Sequence, residues 1–308
     1  MRIAVLAAGG VGAYFGARLA VAGHDVHFVA RGAHLEAMRR DGLRVLSVHG
    51  DDHLPHPSVT DDPAAIGPVD IVLFAVKLWD VEDAAAFARP LLGAETRLIT
   101  LQNGVDSYER VSHILPSHHV VPGVASVSSV IVEPGLIRHT SSFHAITFGQ
   151  PDGGNDAVLE RFAASSAQAN CIVKFSNDIQ RDRWRKFVVL TGTSGATALT
   201  RATLGSILED PDTRSFLREI MQETFRVGQA EGVTLEDGFV EERLAFLDAN
   251  APREMRTSMA HDVLRGNRLE VDWLNGHVSR RGRAHGIATP RNETVYSGLK
   301  HLRMGVAR

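Results

Sequence analysis

With 308 residues, 44% of them hydrophobic and 22% charged, the chain has the composition of a folded globular protein, and its length suits two domains better than one core. A formal net charge of −3 excludes the broad basic field that binds nucleic acid or an anionic membrane, so neither partner is expected. The single cysteine, Cys171, excludes an internal disulfide framework and reads as buried filler in a reducing compartment. The opening residues MRIAVLAAGGVGAYFG hold too short an apolar run to span a bilayer and lack the cleavage region of a secretory signal, so a cytoplasmic protein is expected.

In chain order, a short aliphatic strand (Arg2–Leu6) runs into a glycine-rich turn and then an apolar helix over residues 11–22, with Gly23 as its stop signal. A second strand follows at residues 25–30, and then a polar stretch to which no element is assigned. Residues 69–76 read as a fully buried parallel strand bounded by Pro68 and Lys77, and residues 96–101 repeat the pattern. Helical segments at 81–88 and 107–115 alternate with these strands, which predicts a parallel sheet covered on both faces. Residues 120–148 change to β runs broken by Pro122, Pro134, Gly135 and Gly149, an antiparallel extension of that sheet. A helix at 156–169 and a strand at 171–175 close the first domain. Beyond residue 177 only helical spacing is found, at 179–190, 214–231, 238–247 and 273–286. The expected architecture is α/β: an N-terminal doubly wound sheet with an antiparallel extension (1–177) and an all-α C-terminal domain (178–308).

The turn Ala7-Ala8-Gly9-Gly10-Val11-Gly12 stands where a Rossmann-type dinucleotide fingerprint belongs, directly after the first strand and opening a helix. Gly9 would let the backbone approach a pyrophosphate, and Gly12 would let helix and strand pack closely. The helix N-terminus would offer amide donors to the phosphates. Ala7 replaces the usual first glycine. The second strand ends in Phe28-Val29-Ala30-Arg31, without the acid that would hold a ribose 2′-hydroxyl. The Arg31 guanidinium instead suits a 2′-phosphate, so NADP(H) is the expected cofactor. Lys77 and Gln102-Asn103-Gly104 each follow a buried strand and so fall at the carboxyl edge of the sheet, where such folds bind ligands.

These patterns, with Trp184-Arg185-Lys186-Phe187, Ser258-Met259 and the run Glu270-Val271-Asp272-Trp273-Leu274-Asn275-Gly276, together resemble the ketopantoate reductase family over essentially the whole chain. The resemblance implies an enzyme, an NADP-dependent oxidoreductase acting on CH-OH, with NADPH and a small 2-oxo acid as its ligands. The reaction it implies is reduction of 2-dehydropantoate to pantoate, the 2-dehydropantoate 2-reductase step of pantothenate biosynthesis. It further implies Lys186 as the catalytic lysine, Glu270 as the active-site glutamate, Asn103 near the nicotinamide and Ser258 on the substrate carboxylate, and makes a homodimer through the helical domain an expectation. The chemistry is coherent by itself: a positioned ammonium can stabilise the charge that builds on a ketone oxygen and then donate the proton.

Where the family carries asparagines, two on the helix that continues from the catalytic lysine and a third near Gly205, this chain has Leu190, Ser194 and Leu204, leaving Ser194 as a remaining polar candidate for substrate. The loss of amides opens an alternative, a related NADP-dependent 2-hydroxy acid or ketone dehydrogenase with a more apolar substrate. A second alternative is a non-catalytic NADPH-sensing module. His49, His53 and His56, with Asp51 and Asp52, lack metal-ligand spacing among Pro55 and Pro57, so no metal is expected. Ser126, Ser128 and Ser129 lack a hydrolase elbow, and Arg280-Arg281-Gly282-Arg283 reads as a solvated helix end.

Overall fold

A computed structural model describes residues 1–305 and divides the chain into two compact units, Met1–Ile179 and Gln180–Arg308. In the first unit the elements run β1 (Arg2–Leu6), α1 (Gly10–Val21), β2 (Asp25–Val29), α2 (Gly32–Asp41), β3 (Leu43–Ser47), β4 (Asp52–Leu54), β5 (Ser58–Thr60), β6 (Val69–Phe74), α3 (Val81–Phe87) and β7 (Leu92–Thr100). They continue with α4 (Ser107–Ser112), β8 (Val120–Glu133), β9 (Leu136–Phe148), α5 (Ala157–Ser165) and β10 (Ile172–Phe175). The strands form one sheet in the order β4-β3-β9-β8-β7-β6-β1-β2-β5, with β10 beside β9. From β5 to β8 every pairing is parallel.

Alternation along β1 explains why its whole run is apolar. Ile3 and Val5 join a core with Tyr14, Phe15 and Phe28 on one face, whereas Ala4 and Leu6 join a second core with Phe74, Val81 and Leu98 on the other. Both faces are covered, so neither parity of the strand tolerates a polar residue. The segment at 120–148 is the antiparallel β8–β9 hairpin, whose register shifts near Val127 and Ser129.

The polar stretch after β2 holds three strands that periodicity does not reveal. β3 pairs parallel with β9 and antiparallel with β4, and β5 pairs parallel with β2. What fixes this segment is a long-range ion pair: Arg18, 1% exposed on α1, meets Asp52 at 2.6 Å and donates to the Gly50 carbonyl at 2.8 Å. A buried guanidinium left without its carboxylate would be strongly destabilising, so the β3–β4 hairpin has one place to go.

The second unit is helical throughout its described residues: α6 (Ile179–Thr200), α7 (Leu204–Glu209), α8 (Pro211–Ala230), α9 (Phe239–Asn250), α10 (Ser258–Arg265), α11 (Asn275–Ala284) and α12 (Pro290–Leu299). Helices α7, α10 and α12 escape a periodicity reading, yet their ends are marked. Thr203 and Thr257 accept amides of α7 and α10, and Pro290 opens α12. Inside the unit, the buried Glu223 carboxylate accepts the backbone amides of Arg291 and Asn292, each at 2.9 Å, which caps α12. Asn275 Nδ2 then bridges to Asn292 Oδ1 (2.9 Å) and to the Thr191 carbonyl of α6 (3.2 Å).

Candidate active site

The glycine-rich turn is shaped by three different demands. A Cβ on Gly12 would lie 2.4 Å from the Ala7 carbonyl oxygen and 2.9 Å from Val5 Cγ1, so α1 packs against β1 only with glycine there. At Gly10 it would lie 2.4 Å from the Ser129 carbonyl oxygen of β8. A Cβ on Gly9 would meet no atom within 4 Å, so the space beside it is open. Among the described residues no side chain caps α1, and Ala13 N–H is the donor that reaches the Gly9 carbonyl, at 2.8 Å. The amides before it lack an intrahelical carbonyl by helix geometry, and the helix dipole is positive at that end. Ala7 does tolerate its methyl group, at φ +70° in the left-handed region. Ala8 N–H donates to the Val29 carbonyl at 2.9 Å and ties the turn to the end of β2.

Arg31 follows that strand. It is exposed, and its guanidinium lies 5.6 Å from the Phe87 ring centre, a cation–π contact that leaves its donors at the surface. Lys77 follows β6, exposed, with Nζ 5.5 Å from the centre of the Trp79 ring. Asn103 follows β7 and is half-buried. The adjacent Gly104 stands at φ +148°, where its Cβ would lie 3.6 Å from the Leu78 side chain, so the loops carrying Lys77 and Asn103 run side by side. Ala7–Gly12, Arg31, Lys77 and Asn103 thus gather at the carboxyl ends of four adjacent parallel strands, β2, β1, β6 and β7. No cluster of three or more His, Cys, Asp or Glu among the described residues has metal-holding geometry. His49 and His144 instead stack with centroids 3.9 Å apart.

In the helical unit, Lys186 sits in the second turn of α6, half-buried. Loss of water pushes its pKa down from 10.5 to about 8, while the charge of Glu270, itself 7% exposed, acts in the opposite direction. The sequence-nominated lysine and glutamate are therefore electrostatic neighbours. Glu270 is held by its own backbone, for its carbonyl accepts Trp273 N–H at 3.0 Å and Leu274 N–H at 3.2 Å in the turn that opens α11. Ser194 lies two four-residue steps beyond Lys186 on the same helix face. It is 1% exposed, and its hydroxyl has no hydrogen-bond partner among the described residues. Leu190, between them, is half-buried, and Leu204 is fully buried. Ser258 is exposed at the first position of α10, whose start is pinned to α6 by the Thr197–Thr257 hydroxyl pair at 2.9 Å.

Sequence reasoning quoted Gln102 and Asn275 inside motifs without giving either a role of its own; the structure shows Gln102 bonded to the Phe74 and Val76 carbonyls and Asn275 to Thr191 and Asn292. Their signal was an amide at the end of a buried strand and at the start of a buried helix, where an unpaired amide is expensive. Cys171 is buried, and its thiol is pushed up to about 12 by burial, far from a thiolate nucleophile.

The family model for ketopantoate reductase PanE/ApbA matches residues 3–153, and the model for its C-terminal part matches residues 178–303. A 2-dehydropantoate 2-reductase of Halobacterium salinarum is 33% identical over 292 residues, 94% of this chain and 95% of that one. The crystal structure of 2-dehydropantoate 2-reductase from Geobacter metallireducens superposes with a TM-score of 0.91 at 33% identity, covering 98% of this chain and 99% of the other. A ternary structure of D-mandelate dehydrogenase with NADH and anilino(oxo)acetate shares the fold (TM-score 0.88, covering 98% of each chain) at only 20% identity. With two family models side by side along the sequence and close relatives over nearly its full length, the chain belongs to the ketopantoate reductase PanE/ApbA family.

Proposed function

We propose that the chain is an NADPH-dependent oxidoreductase that reduces the ketone of a small 2-oxo acid, with 2-dehydropantoate as substrate and pantoate as product. The observation that carries this reading is Lys186, a half-buried ammonium brought down to about pH 8 beside the buried Glu270, poised to give up a proton near neutrality.

The residues present fit a dinucleotide. The open space at Gly9 and the uncapped first turn of α1 suit a pyrophosphate, and Ala7 to Gly12 supply backbone rather than bulk. Arg31, with no acid at the end of β2, suits a 2′-phosphate, and Lys77 and Asn103 lie at the same strand edge. When bound, the reduced nicotinamide supplies the hydride. Lys186 Nζ holds the ketone oxygen, stabilises the negative charge that develops there and then donates its proton to it. Glu270 orients the ketone or product hydroxyl and sustains the lysine's charge. Asn103 keeps the reacting groups in register, and Ser258 meets the substrate carboxylate. Ser194 offers a buried hydroxyl two turns along α6 from the lysine. A homodimer, a place in pantothenate biosynthesis and a cytoplasmic location complete the proposal. A related ketopantoate reductase from Staphylococcus aureus is described as dimeric, and no helix among the described residues is long and apolar enough to cross a membrane.

The test is consumption of reduced nicotinamide, followed by absorbance, with 2-dehydropantoate and a panel of aliphatic and aromatic 2-oxo acids. Each is run with NADPH and with NADH, on the parent and on Arg31→Glu. Fast turnover confined to 2-dehydropantoate is expected, with NADPH preferred and the preference reduced by roughly tenfold or more in the variant. Activity on another oxo acid alone would reject the substrate, and an unchanged cofactor preference in Arg31→Glu would reject that arginine's role.

A further inference from the structure

Beyond the residues already assigned, the geometry points to Gln102 as a positioning residue that sets Lys77 and Asn103 in place together; this inference rests on the roles proposed for those two residues. The parallel ladder between β6 and β7 pairs Phe74 with Thr100 and makes a last backbone bond from Leu101 N–H to the Phe74 carbonyl at 3.0 Å. There the strands end, and the two chains depart toward Lys77 and Asn103. Gln102 continues the ladder with its side chain. Its Nε2 donates to the Phe74 carbonyl at 2.7 Å and to the Val76 carbonyl at 3.3 Å. Val76 immediately precedes Lys77 in sequence, and Asn103 immediately follows Gln102. One amide group is thus bonded to the backbone next to one proposed ligand residue while its own backbone carries the other.

The orientation of that amide is chemically determined. Turned over, Oε1 would face two carbonyl oxygens, so Nε2 must be the group that points at them. Oε1 then lies buried with no hydrogen-bond partner among the described residues, in a side chain 7% exposed. An amide that buries Oε1 without a donor carries a desolvation cost that its two Nε2 bonds must offset. Its presence at the carboxyl edge of the sheet, where the cofactor loops begin, is the pattern of a residue kept for geometry and not for stability.

The test is a pair of double-mutant cycles on NADPH affinity, read by fluorescence titration of the full chain, with turnover on 2-dehydropantoate measured in parallel. Gln102→Met keeps volume and removes the donors; Gln102→Asn keeps an amide too short to reach both carbonyls and serves if the first variant does not fold. Each is combined with Lys77→Ala and with Asn103→Ala. The Gln102 variants are expected to weaken NADPH binding or lower turnover by roughly tenfold, with thermal unfolding close to the parent. Each double is expected to lose clearly less than the product of its two single losses, because part of the effect of Gln102 runs through the residue already removed. Multiplying losses, with each single substitution effective, would mean Gln102 acts independently and would overturn the inference while leaving the site reading intact. Unchanged binding and turnover in both Gln102 variants would overturn it too. If Lys77→Ala and Asn103→Ala themselves change neither binding nor turnover, the proposed site roles fail first.

Discussion

The two units build their candidate sites from different material. In the sheet unit the site is mostly backbone: the turn from Ala7 to Gly12, the uncapped start of α1 and the strand ends of β2, β6 and β7. In the helical unit it is side chain: Lys186 on α6, and Glu270 on the turn before α11, brought to one another by tertiary packing. A backbone site depends on what residues lack, above all a Cβ, and a side-chain site depends on what surrounds a charge. Substitutions should therefore fail in different ways in the two units.

The largest effect is expected in the helical unit. Lys186→Ala should lower turnover by at least about a hundredfold with NADPH affinity little changed, because a positioned acid is lost and the dinucleotide turn is untouched. Near-normal turnover would remove Lys186 from the chemistry. The pH profile sharpens the point. Reduction needs the protonated lysine, so its rate should fall as pH rises through about 8; the reverse oxidation needs the neutral amine and should rise through the same value. Glu270 raises the lysine's pKa against the larger effect of desolvation. Glu270→Gln should accordingly move both limbs to lower pH, besides slowing turnover. A limb that stays in place would mean that Glu270 does not act on Lys186 through its charge.

This contrast also explains what could be read from the sequence. The dinucleotide turn was legible because glycine spacing after a strand encodes geometry locally, and Gly12 against the Ala7 carbonyl is that geometry realised. The antiparallel hairpin at β8–β9 was legible from its breakers. Strands β3 to β5 were not, because their placement depends on partners distant in sequence, such as Asp52 on Arg18. Lys186 lies in a charged run, Arg181 to Lys186, that looks like any solvated helix face, and only family resemblance singled it out. The burial that lowers its pKa is a property of the packed unit, and no spacing rule records it. Ser194, nominated as a polar contact, turns out 1% exposed, since its face of α6 is enclosed by neighbours that the sequence does not order.

Within the sheet unit, two glycines separate packing from binding. Gly12→Ala would place a methyl carbon 2.4 Å from a backbone oxygen and should destabilise the fold by about 1–3 kcal/mol as well as disturb the cofactor turn. Gly9→Ala meets nothing within 4 Å and should leave thermal unfolding nearly unchanged, while its methyl group intrudes where a pyrophosphate would approach and weakens NADPH binding. Unfolding curves and cofactor titrations on the same two variants decide the matter. Equal losses of stability in both, or full NADPH affinity in Gly9→Ala, would break the division of labour.

The smallest effect is expected at Ala7, and its sign is informative. At φ +70° an alanine is held about 1 kcal/mol or more above its preferred conformations, and glycine would relieve that strain. Glycine also gains about 0.4–1 kcal/mol of freedom in the unfolded chain, which opposes the gain. The two nearly cancel, so Ala7→Gly should stabilise by at most about 1 kcal/mol, measurable as a small rise in the denaturation midpoint, with NADPH affinity preserved because the Gly9 opening is unaltered. A clear loss of stability would mean that the Ala7 methyl group packs favourably enough to outweigh its backbone strain. In that case alanine at this first position of the turn is a fitted part of the β1–α1 junction, the place where the Ala7 carbonyl meets Gly12.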